Sequence, residues 1–306
     1  MSVARKPLDG LATSIIIILC FCWGLQQVAI KVAAPVISPV MQIGLRSAIA
    51  GAMVLAFMVW RGIPLFRRDG TWWPGLLSGA LFGLEFLLIA IGLGYTSASH
   101  MAVFIYTAPI FTALGLHFRV AGEKLSLRQW LGVVIAFGGV LAAFAEGLFA
   151  TSADQYPLMW LGDFLGVMAG LLWGLTTVVI RASALSEAPP TKTLIYQLAM
   201  ATIILLAFAV LTDIHHVGPM TPLVWSSLIF QVLVVGFASL MLWFWLLRHY
   251  LASRVSVFTF LTPVFGIGLG VWLLDEPFTP GFAIGAALIV LGITFVNWPQ
   301  RRRERG

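Results

Sequence analysis

Long runs of apolar residues, interrupted by short breaks of proline, glycine or charged residues, fill almost the whole chain. Each run has about the 20 residues that an α-helix needs to cross a bilayer, and helices satisfy their own backbone hydrogen bonds in lipid. The pattern predicts an all-α membrane protein with ten transmembrane helices. Their predicted bounds are 11–31, 39–60, 72–94, 98–119, 129–147, 160–181, 191–211, 223–247, 254–274 and 281–298.

The composition agrees with this prediction. Hydrophobic residues make up 60% of the 306 residues and charged residues only 10%, whereas soluble domains carry roughly 25% charged residues. The net charge is +6, but the basic residues lie on short loops between apolar spans, which favours contact with anionic lipid headgroups. We expect the lipid bilayer as a partner, and no nucleic acid.

The charged residues also predict the orientation. If the N-terminus is cytoplasmic, 16 of the 18 lysines and arginines fall on the cytoplasmic side, and only Lys31 and Arg46 do not. This sorting follows the positive-inside rule and predicts that both termini are cytoplasmic. Arg5 and Lys6 precede the first span, but Lys31 and further spans follow it. The first span is therefore expected to be retained rather than cleaved as a signal peptide.

A sequence motif recurs 150 positions apart, at residues 22–31 (CWGLQQVAIK) and 172–181 (LWGLTTVVIR). Five predicted spans precede the second copy, so the two copies enter the membrane from opposite sides. The sequence thus predicts two inverted five-helix repeats, residues 1–150 and 155–306. The matched pairs are Trp23 and Trp173, Gly24 and Gly174, Lys31 and Arg181, Pro109 and Pro263, Glu123 and Glu276, Gly132 and Gly285, and Gly139 and Gly292.

Two prolines lie in the middle of predicted helices 4 and 9, Pro109 and Pro263. A proline inside a helix removes one backbone hydrogen bond and clashes with the preceding turn. In a membrane, the freed carbonyl group is tolerated only against protein or a water-filled cavity. We interpret the matched pair as two hinges beside a substrate path; two plain kinks are the alternative.

Two charged residues lie deep within predicted spans, away from the span ends. Glu85, near the centre of helix 3, has three open roles: it binds a substrate ammonium group, it carries a coupling proton, or it forms hydrogen bonds within the bundle. Arg46, about two turns into helix 2, is interpreted as snorkelling or as pairing with a carbonyl group or an acid. Recognition of a substrate carboxylate is the alternative for Arg46.

Aromatic residues, several with polar tips, accompany these charges in or beside the spans. Such a mixture suits zwitterions with aromatic or apolar side chains, through stacking and cation–π contacts. Packing is the alternative role for the two mid-helix tryptophans. The candidate substrate-binding residues are Trp23, Gln27, Glu85, Tyr95, His100, Tyr106, Trp173 and Trp243.

The sequence carries no motif for catalysis. It contains neither His-Glu-x-x-His nor Gly-x-Ser-x-Gly, and no nucleotide-binding motif that would couple it to ATP. Cys20 and Cys22 are two residues apart on one helix and face different sides, which disfavours a disulfide or a metal site. We expect no enzyme activity, no cofactor and no metal.

These features together resemble a known group, the EamA-type members of the drug/metabolite transporter superfamily. The resemblance rests on two five-helix halves, Trp-Gly steps in helices 1 and 6, prolines in helices 4 and 9, and acidic turns before helices 5 and 10. Within that superfamily the chain is similar to the YddG-type amino-acid exporters. The residues that carry this closer likeness are Glu85, Leu93-Gly94-Tyr95, His100 and Tyr106; Ala108 departs from it, because that branch can carry an aromatic residue there.

The resemblance implies a function. It implies export of aromatic and other neutral amino acids across a bacterial inner membrane by alternating access, with the two halves of one chain sufficing as a monomer. Two alternatives stay open: a multidrug or other metabolite exporter of the same fold, and a non-transporting membrane scaffold.

Overall fold

The computed structural model of the protein describes residues 5–64, 69–96, 98–120, 122–150, 156–215, 217–274 and 280–298. Within these ranges ten helical spans follow one another and no β-strand forms. Nine are long and apolar enough to cross a membrane, and the remaining one, helix 5, has 17 residues. They are helix 1 (Gly10–Ala33), helix 2 (Pro39–Trp60), helix 3 (Trp72–Gly92), helix 4 (Ala98–Ile105 and Ala108–Arg119), helix 5 (Leu127–Ala143), helix 6 (Met159–Arg181), helix 7 (Pro190–Leu211), helix 8 (Pro222–His249), helix 9 (Ala252–Phe258 and Leu261–Leu274) and helix 10 (Pro280–Asn297).

The predicted ten-helix, all-α membrane fold is confirmed, with two local differences. Helix 5 ends at Ala143, and a separate helix of six residues, Ala145–Ala150, follows where the prediction continued to residue 147. Helix 8 contains a π-helical stretch at Gln231–Ser239 that the prediction did not include. Hydropathy measures apolar length, so neither a break nor a change of hydrogen-bond register within an apolar run leaves a signal in it.

Polar residues fix where several helices begin. The Asp9 side chain accepts a hydrogen bond from the Ala12 amide at the start of helix 1, at 2.9 Å. Ser126 forms a capping box with Gln129 at the start of helix 5. Helices 2, 7 and 8 begin with proline at the first position, where its missing N–H is not needed.

The links between helices alternate between two ends of the bundle. We call the end where helix 1 begins the near side, and the end where helix 1 finishes the far side. On the near side, the Lys6 amide donates to the His249 carbonyl at the end of helix 8. On the far side, the Gly218 amide donates to the Val36 carbonyl, which joins the link after helix 1 to the link before helix 8.

Helices 5 and 10 show the inverted relationship of the two halves. A Cβ atom added to Gly132 would lie 2.7 Å from the carbonyl oxygen of Gly292, and one added to Gly139 would lie 2.7 Å from that of Gly285. The two helices therefore run antiparallel at a distance that only glycine permits. Gly132 matches Gly285 in the repeat and Gly139 matches Gly292, so exchanging the halves converts one contact into the other.

Each half also packs its first helix against the fourth helix of the other half. Gly24 of helix 1 lies against helix 9, where an added Cβ atom would be 2.8 Å from the Gly266 nitrogen. Gly174 of helix 6 lies against helix 4, where it would be 3.0 Å from the Thr112 nitrogen. The halves therefore interlock. The division into residues 1–150 and 155–306 stays a prediction, and residues 151–155 lie outside the described ranges.

Candidate substrate pathway

Helices 4 and 9 are each broken shortly before their proline. Pro109 has no N–H for the Ile105 carbonyl, and the first segment of helix 4 ends at Ile105. Pro263 has none for the Thr259 carbonyl, and the first segment of helix 9 ends at Phe258. The structure therefore has breaks where the sequence predicted interruptions; that they act as hinges stays a prediction.

The two breaks are covered from the opposite half at matched positions. Gly170 of helix 6 lies against the break in helix 4, where an added Cβ atom would be 3.0 Å from the carbonyl oxygens of Phe104 and Ile105. The Cys20 thiol of helix 1 donates a hydrogen bond of 3.3 Å to the Phe258 carbonyl beside the break in helix 9. Cys20 and Gly170 are 150 positions apart, the spacing of the repeat. Equivalent positions of the two halves therefore cover the two breaks.

Four of the candidate residues form two aromatic pairs. Trp23 and Trp243 contact edge to face, with ring centroids 5.4 Å apart, and the Trp23 indole N–H donates to the Ser239 hydroxyl at 2.9 Å. Tyr106 and Trp173 form a second edge-to-face pair, at 6.2 Å. Trp23 and Trp173 are half-buried, and they occupy matched positions in the first helix of each half.

The π-helical stretch of helix 8 ends at this site. Ser239 is its last residue, and the Ser239 hydroxyl both accepts from Trp23 and donates to the Val235 carbonyl at 2.7 Å. π-Helical stretches within α-helices occur frequently at functional sites. Sequence reasoning missed this element.

The two charged residues deep within the spans, Glu85 and Arg46, are buried without an ion pair in the described ranges. Glu85 is 6% exposed, and no hydrogen bond or ion pair joins it to another residue in the described ranges. It shares a face of helix 3 with Gly92, which packs against Gly162 of helix 6. Arg46 is 2% exposed, and its Nε and Nη1 atoms have no hydrogen-bond partner among the described residues. The structure shows no pairing of Arg46 with a carbonyl group or an acid in the described ranges, and the role of Arg46 stays a prediction.

The structure places His100 in a separate polar cluster on the far side. Its Nδ1 atom lies 3.0 Å from the Asp163 carboxylate, and its Nε2 atom lies 3.1 Å from the Leu148 carbonyl. The Thr96 hydroxyl also donates to Asp163, at 2.6 Å. Both ring nitrogens of His100 thus have protein partners, which gives it a role in joining helices 4 and 6. Tyr95 is half-buried in the link between helices 3 and 4.

The inward face of helix 1 is closed on the near side and open on the far side. Ile16 and Cys20 on this face are fully buried, Trp23 is half-buried, and Gln27 is exposed. Gln27 lies about 180° around the helix from Ile18 on the outer, lipid-facing surface. Its exposure is therefore toward the interior of the bundle. Lys31, one further turn along the same face, is also exposed.

The matching face of helix 6 is closed. Thr177 corresponds to Gln27 and is 2% exposed; Arg181 corresponds to Lys31 and is 7% exposed. Arg181 forms a buried ion pair with Glu123, at 2.7 Å. Glu123 also accepts hydrogen bonds from the Ala252 amide, the Ser253 amide and the Ser253 hydroxyl, at 3.0, 3.0 and 2.7 Å. One carboxylate therefore closes the near side by joining helix 6, the link before helix 5 and the start of helix 9.

Two further ion pairs lie on the near side. Lys192 is 1% exposed and pairs with Asp69, which in turn accepts from the Thr71 hydroxyl. Arg5 pairs with Glu187, at 2.7 Å. The positions of these basic residues between the predicted spans assigned them to the same side as the N-terminus, but the sequence carried no signal for their partners. Asp275 and Glu276, the acidic turn predicted before helix 10, lie outside the described residues, as do the four C-terminal arginines.

Ten spans in two inverted halves, matched breaks in helices 4 and 9, and an interior face open at one end and closed at the other define the class of membrane transporters built from inverted repeats. The chain belongs to the EamA-like transporter family, whose family model matches residues 11–145 and 160–298. It is thus a multi-pass membrane protein of a transporter family.

Curated relatives and a solved structure are similar along nearly the whole chain. The uncharacterized transporter YoaV of Bacillus subtilis is 26% identical over 94% of this chain and 97% of its own length. A probable amino-acid metabolite efflux pump of Escherichia coli is 28% identical over 96% of this chain and 95% of its own length. One crystal structure superposes with a TM-score of 0.79, at 20% identity, over 96% of this chain and 99% of its own; this likeness shows the fold.

Proposed function

We propose that this transporter exports neutral amino acids, aromatic ones foremost, across a bacterial inner membrane by alternating access. The observation that carries the proposal is the contrast between matched faces: Gln27 is exposed on helix 1, whereas Thr177 is buried on helix 6. In an inverted repeat, exchanging the conformations of the halves would bury Gln27 and expose Thr177, which opens the other side. The structure then represents one of two access states.

The lining chemistry supports a zwitterionic substrate with an apolar side chain. The two aromatic pairs, Trp23 with Trp243 and Tyr106 with Trp173, offer faces and edges for a ring or a branched chain. Glu85 is a buried carboxylate without an ion pair in the described structure, which suits a substrate ammonium group. The Escherichia coli relative is named for amino-acid metabolite efflux, and this name supports the same substrate class here.

The breaks before Pro109 and Pro263 supply the movement in this proposal. Each divides a helix into two segments that can tilt separately, and each is covered by the first helix of the other half. In the switch to the other state, the near side opens as Arg181 separates from Glu123. The near side is cytoplasmic by the positive-inside sorting, both termini face the cytoplasm, and one chain contains the complete pathway.

Counterflow in proteoliposomes tests the function. Proteoliposomes that contain the purified protein are preloaded with unlabelled phenylalanine or threonine. They are expected to accumulate the labelled amino acid from outside, whereas protein-free liposomes are not. Trp23→Phe removes the indole N–H bonded to Ser239 and is expected to lower the rate; Trp73→Phe, at a 78% exposed surface tryptophan, is the matched control. If no amino acid exchanges in protein that is folded and monodisperse, amino-acid export is wrong.

A second candidate substrate class has one observation in its favour. Glu85 alone, without a cation beside it, would also suit an organic cation. That alternative predicts protection of cells against toxic organic cations with little amino-acid flux.

A further inference from the structure

Arg46 is the least satisfied charged residue in the described part of the protein. It lies in the outer half of helix 2, is 2% exposed, and leaves Nε and Nη1 without a hydrogen-bond partner there. Leaving two buried guanidinium nitrogens without partners is destabilising, and buried polar groups are nearly always satisfied. An ionisable residue inside a membrane span is by default a candidate functional residue, the more so when it lacks a structural partner.

The aliphatic part of the Arg46 side chain is packed against protein, whereas its guanidinium group has no hydrogen-bond partner among the described residues. Its Cγ atom would lie 3.1 Å from a Cβ atom on Gly236, so the glycine in the π-helical stretch makes room for the arginine stem. Its guanidinium lies 5.5 Å from the centroid of the Phe86 ring on helix 3. Contact with an aromatic face stabilises the cation without using its N–H donors, which point outward in the plane of the group.

The neighbourhood also holds a second unsatisfied group. The Gln231 side-chain nitrogen donates to Gln42 and to Ser227, at 2.8 and 3.1 Å, which fixes the amide. The Gln231 side-chain oxygen has no partner among the described residues. The π-helical stretch that begins at Gln231 thus borders unsatisfied polar groups on this side of helix 8, while its last residue, Ser239, contacts Trp23.

We propose that Arg46 binds the carboxylate of the transported substrate, so that this protein selects zwitterions over organic cations. The inference rests on the proposed function and names its substrate class more narrowly. A planar guanidinium matches the two oxygens of a carboxylate in a bidentate pair. Glu85, the residue before Phe86, supplies the opposite charge on the neighbouring face of helix 3. Arg46 is closed off in this state, so the substrate reaches it when helix 8 or helix 3 moves.

Alternative occupants fit the site less well. A phosphorylated substrate carries more negative charge than one arginine neutralises, and no other buried cation without a partner is found among the described residues. A purely structural role would leave the donors satisfied by a carbonyl or carboxylate, which the structure does not show.

Three competitors that differ only in their charged groups test the proposal. Phenylalanine carries both charges, phenethylamine lacks the carboxylate, and phenylpropionate lacks the ammonium group. Each is added outside proteoliposomes that exchange labelled phenylalanine, for the wild type, Arg46→Gln, Arg46→Lys and Glu85→Gln. Arg61→Gln, at an exposed arginine, is the matched control.

We expect Arg46→Gln to weaken phenylalanine competition by about 10- to 100-fold, the loss that removal of a charged hydrogen bond produces. Phenethylamine competition should be unchanged in the same variant. Glu85→Gln should weaken competition by phenylalanine and by phenethylamine, and it should leave competition by phenylpropionate unchanged. If Arg46→Gln weakens phenylalanine and phenethylamine equally, or neither, the carboxylate assignment is wrong.

Two further comparisons distinguish failure of the Arg46 assignment from misfolding of a variant and from failure of the proposed function. If Arg46→Gln does not yield monodisperse protein, Arg46→Lys decides: a selective loss for phenylalanine supports the proposal, and an equal change for both competitors overturns it. If the wild type exchanges amino acids but the variants show no selectivity, only the inference fails. If the wild type exchanges no amino acid and carries phenethylamine independently of Arg46, both fail.

Discussion

Arg181, the last residue of helix 6, donates two hydrogen bonds to one carboxylate oxygen of Glu123, at 3.1 and 2.7 Å. The pair is buried, and the same carboxylate receives the first amides of helix 9. In the proposed alternating-access cycle, this buried contact between the halves is expected to break when the near side opens.

Glu123→Gln is therefore expected to open the near side. Removing one partner of a buried ion pair costs about 3–5 kcal/mol, because the other charge stays buried. The closed state bears this cost, so a cysteine placed at Thr177 should react about 100-fold faster or more with a polar thiol reagent, until most molecules are open. A background with Cys20→Ser and Cys22→Ser removes the native thiols.

Glu187→Gln provides the control for this experiment. Glu187 also pairs with an arginine on the near side, but its side chain is 49% exposed. Exposed pairs contribute little, so the labelling rate should not change. An equal rate for the Glu123 variant and this control would contradict a closing role for Arg181 and Glu123.

Gly139→Ala should destabilise the junction of helices 5 and 10. The added Cβ atom would lie 2.7 Å from the Gly285 carbonyl oxygen and 2.8 Å from the Ile289 nitrogen, both backbone atoms that cannot rotate away. We expect a loss of about 1–3 kcal/mol, the usual cost of overpacking. Gly138→Ala is the neighbouring control, since nothing lies within 4 Å of its Cβ position. Thermal unfolding in detergent compares them; equal melting temperatures would refute the close approach.

Much of the fold was predictable from the sequence because the bilayer imposes a length on every span. Apolar runs and the sorting of basic residues predicted ten helices, and the repeat of Trp23-Gly24 at Trp173-Gly174 predicted the inverted halves. The prolines predicted where helices 4 and 9 are interrupted. Apolar runs, basic residues and prolines can be read within a short stretch of sequence, and the repeat is found by aligning one half of the chain with the other.

The candidate site was only partly predictable, because its contacts join residues far apart in the chain. Trp23 meets Ser239 across 216 positions, and its pairing depends on a π-helical turn that hydropathy does not register. His100 is a candidate by residue type, and its contact with Asp163 had no signal in the sequence; its role in substrate binding stays a prediction. The sequence also carried no sign that two nitrogens of Arg46 would be buried without a partner among the described residues.

Asp69→Asn should destabilise the protein by about 1–3 kcal/mol at neutral pH, by weakening the hydrogen bond to the buried Lys192. The Lys192 ammonium and the Thr71 hydroxyl hold the pKa of the Asp69 carboxyl well below its ordinary value of 3.8. A lowered pKa stabilises the fold fully above the ordinary value, and this contribution is lost as the pH falls through the folded-state pKa.

The stability difference between wild type and Asp69→Asn should therefore stay constant from pH 8 down to pH 5. Asp213→Asn is the control, because the Asp213 side chain is 79% exposed and its left-handed backbone, with φ of 58°, suits asparagine. Chemical unfolding in detergent at several pH values measures the difference. The difference should then shrink as the pH falls below about 4. A difference that stays the same down to pH 3 would show that the folded-state pKa is not lowered.

Pro263→Ala is expected to slow transport without unfolding the protein. Alanine restores an N–H that can bond to the Thr259 carbonyl, which favours one continuous helix 9 and removes the separate movement of its two segments. Counterflow turnover should fall several-fold, while the concentration of amino acid that gives half-maximal exchange changes little. Pro109→Ala should act likewise on helix 4. Pro190→Ala, at the first position of helix 7 where no hydrogen bond is interrupted, is the control and should transport like wild type. Unchanged turnover in both hinge variants would show that the breaks serve packing and not movement.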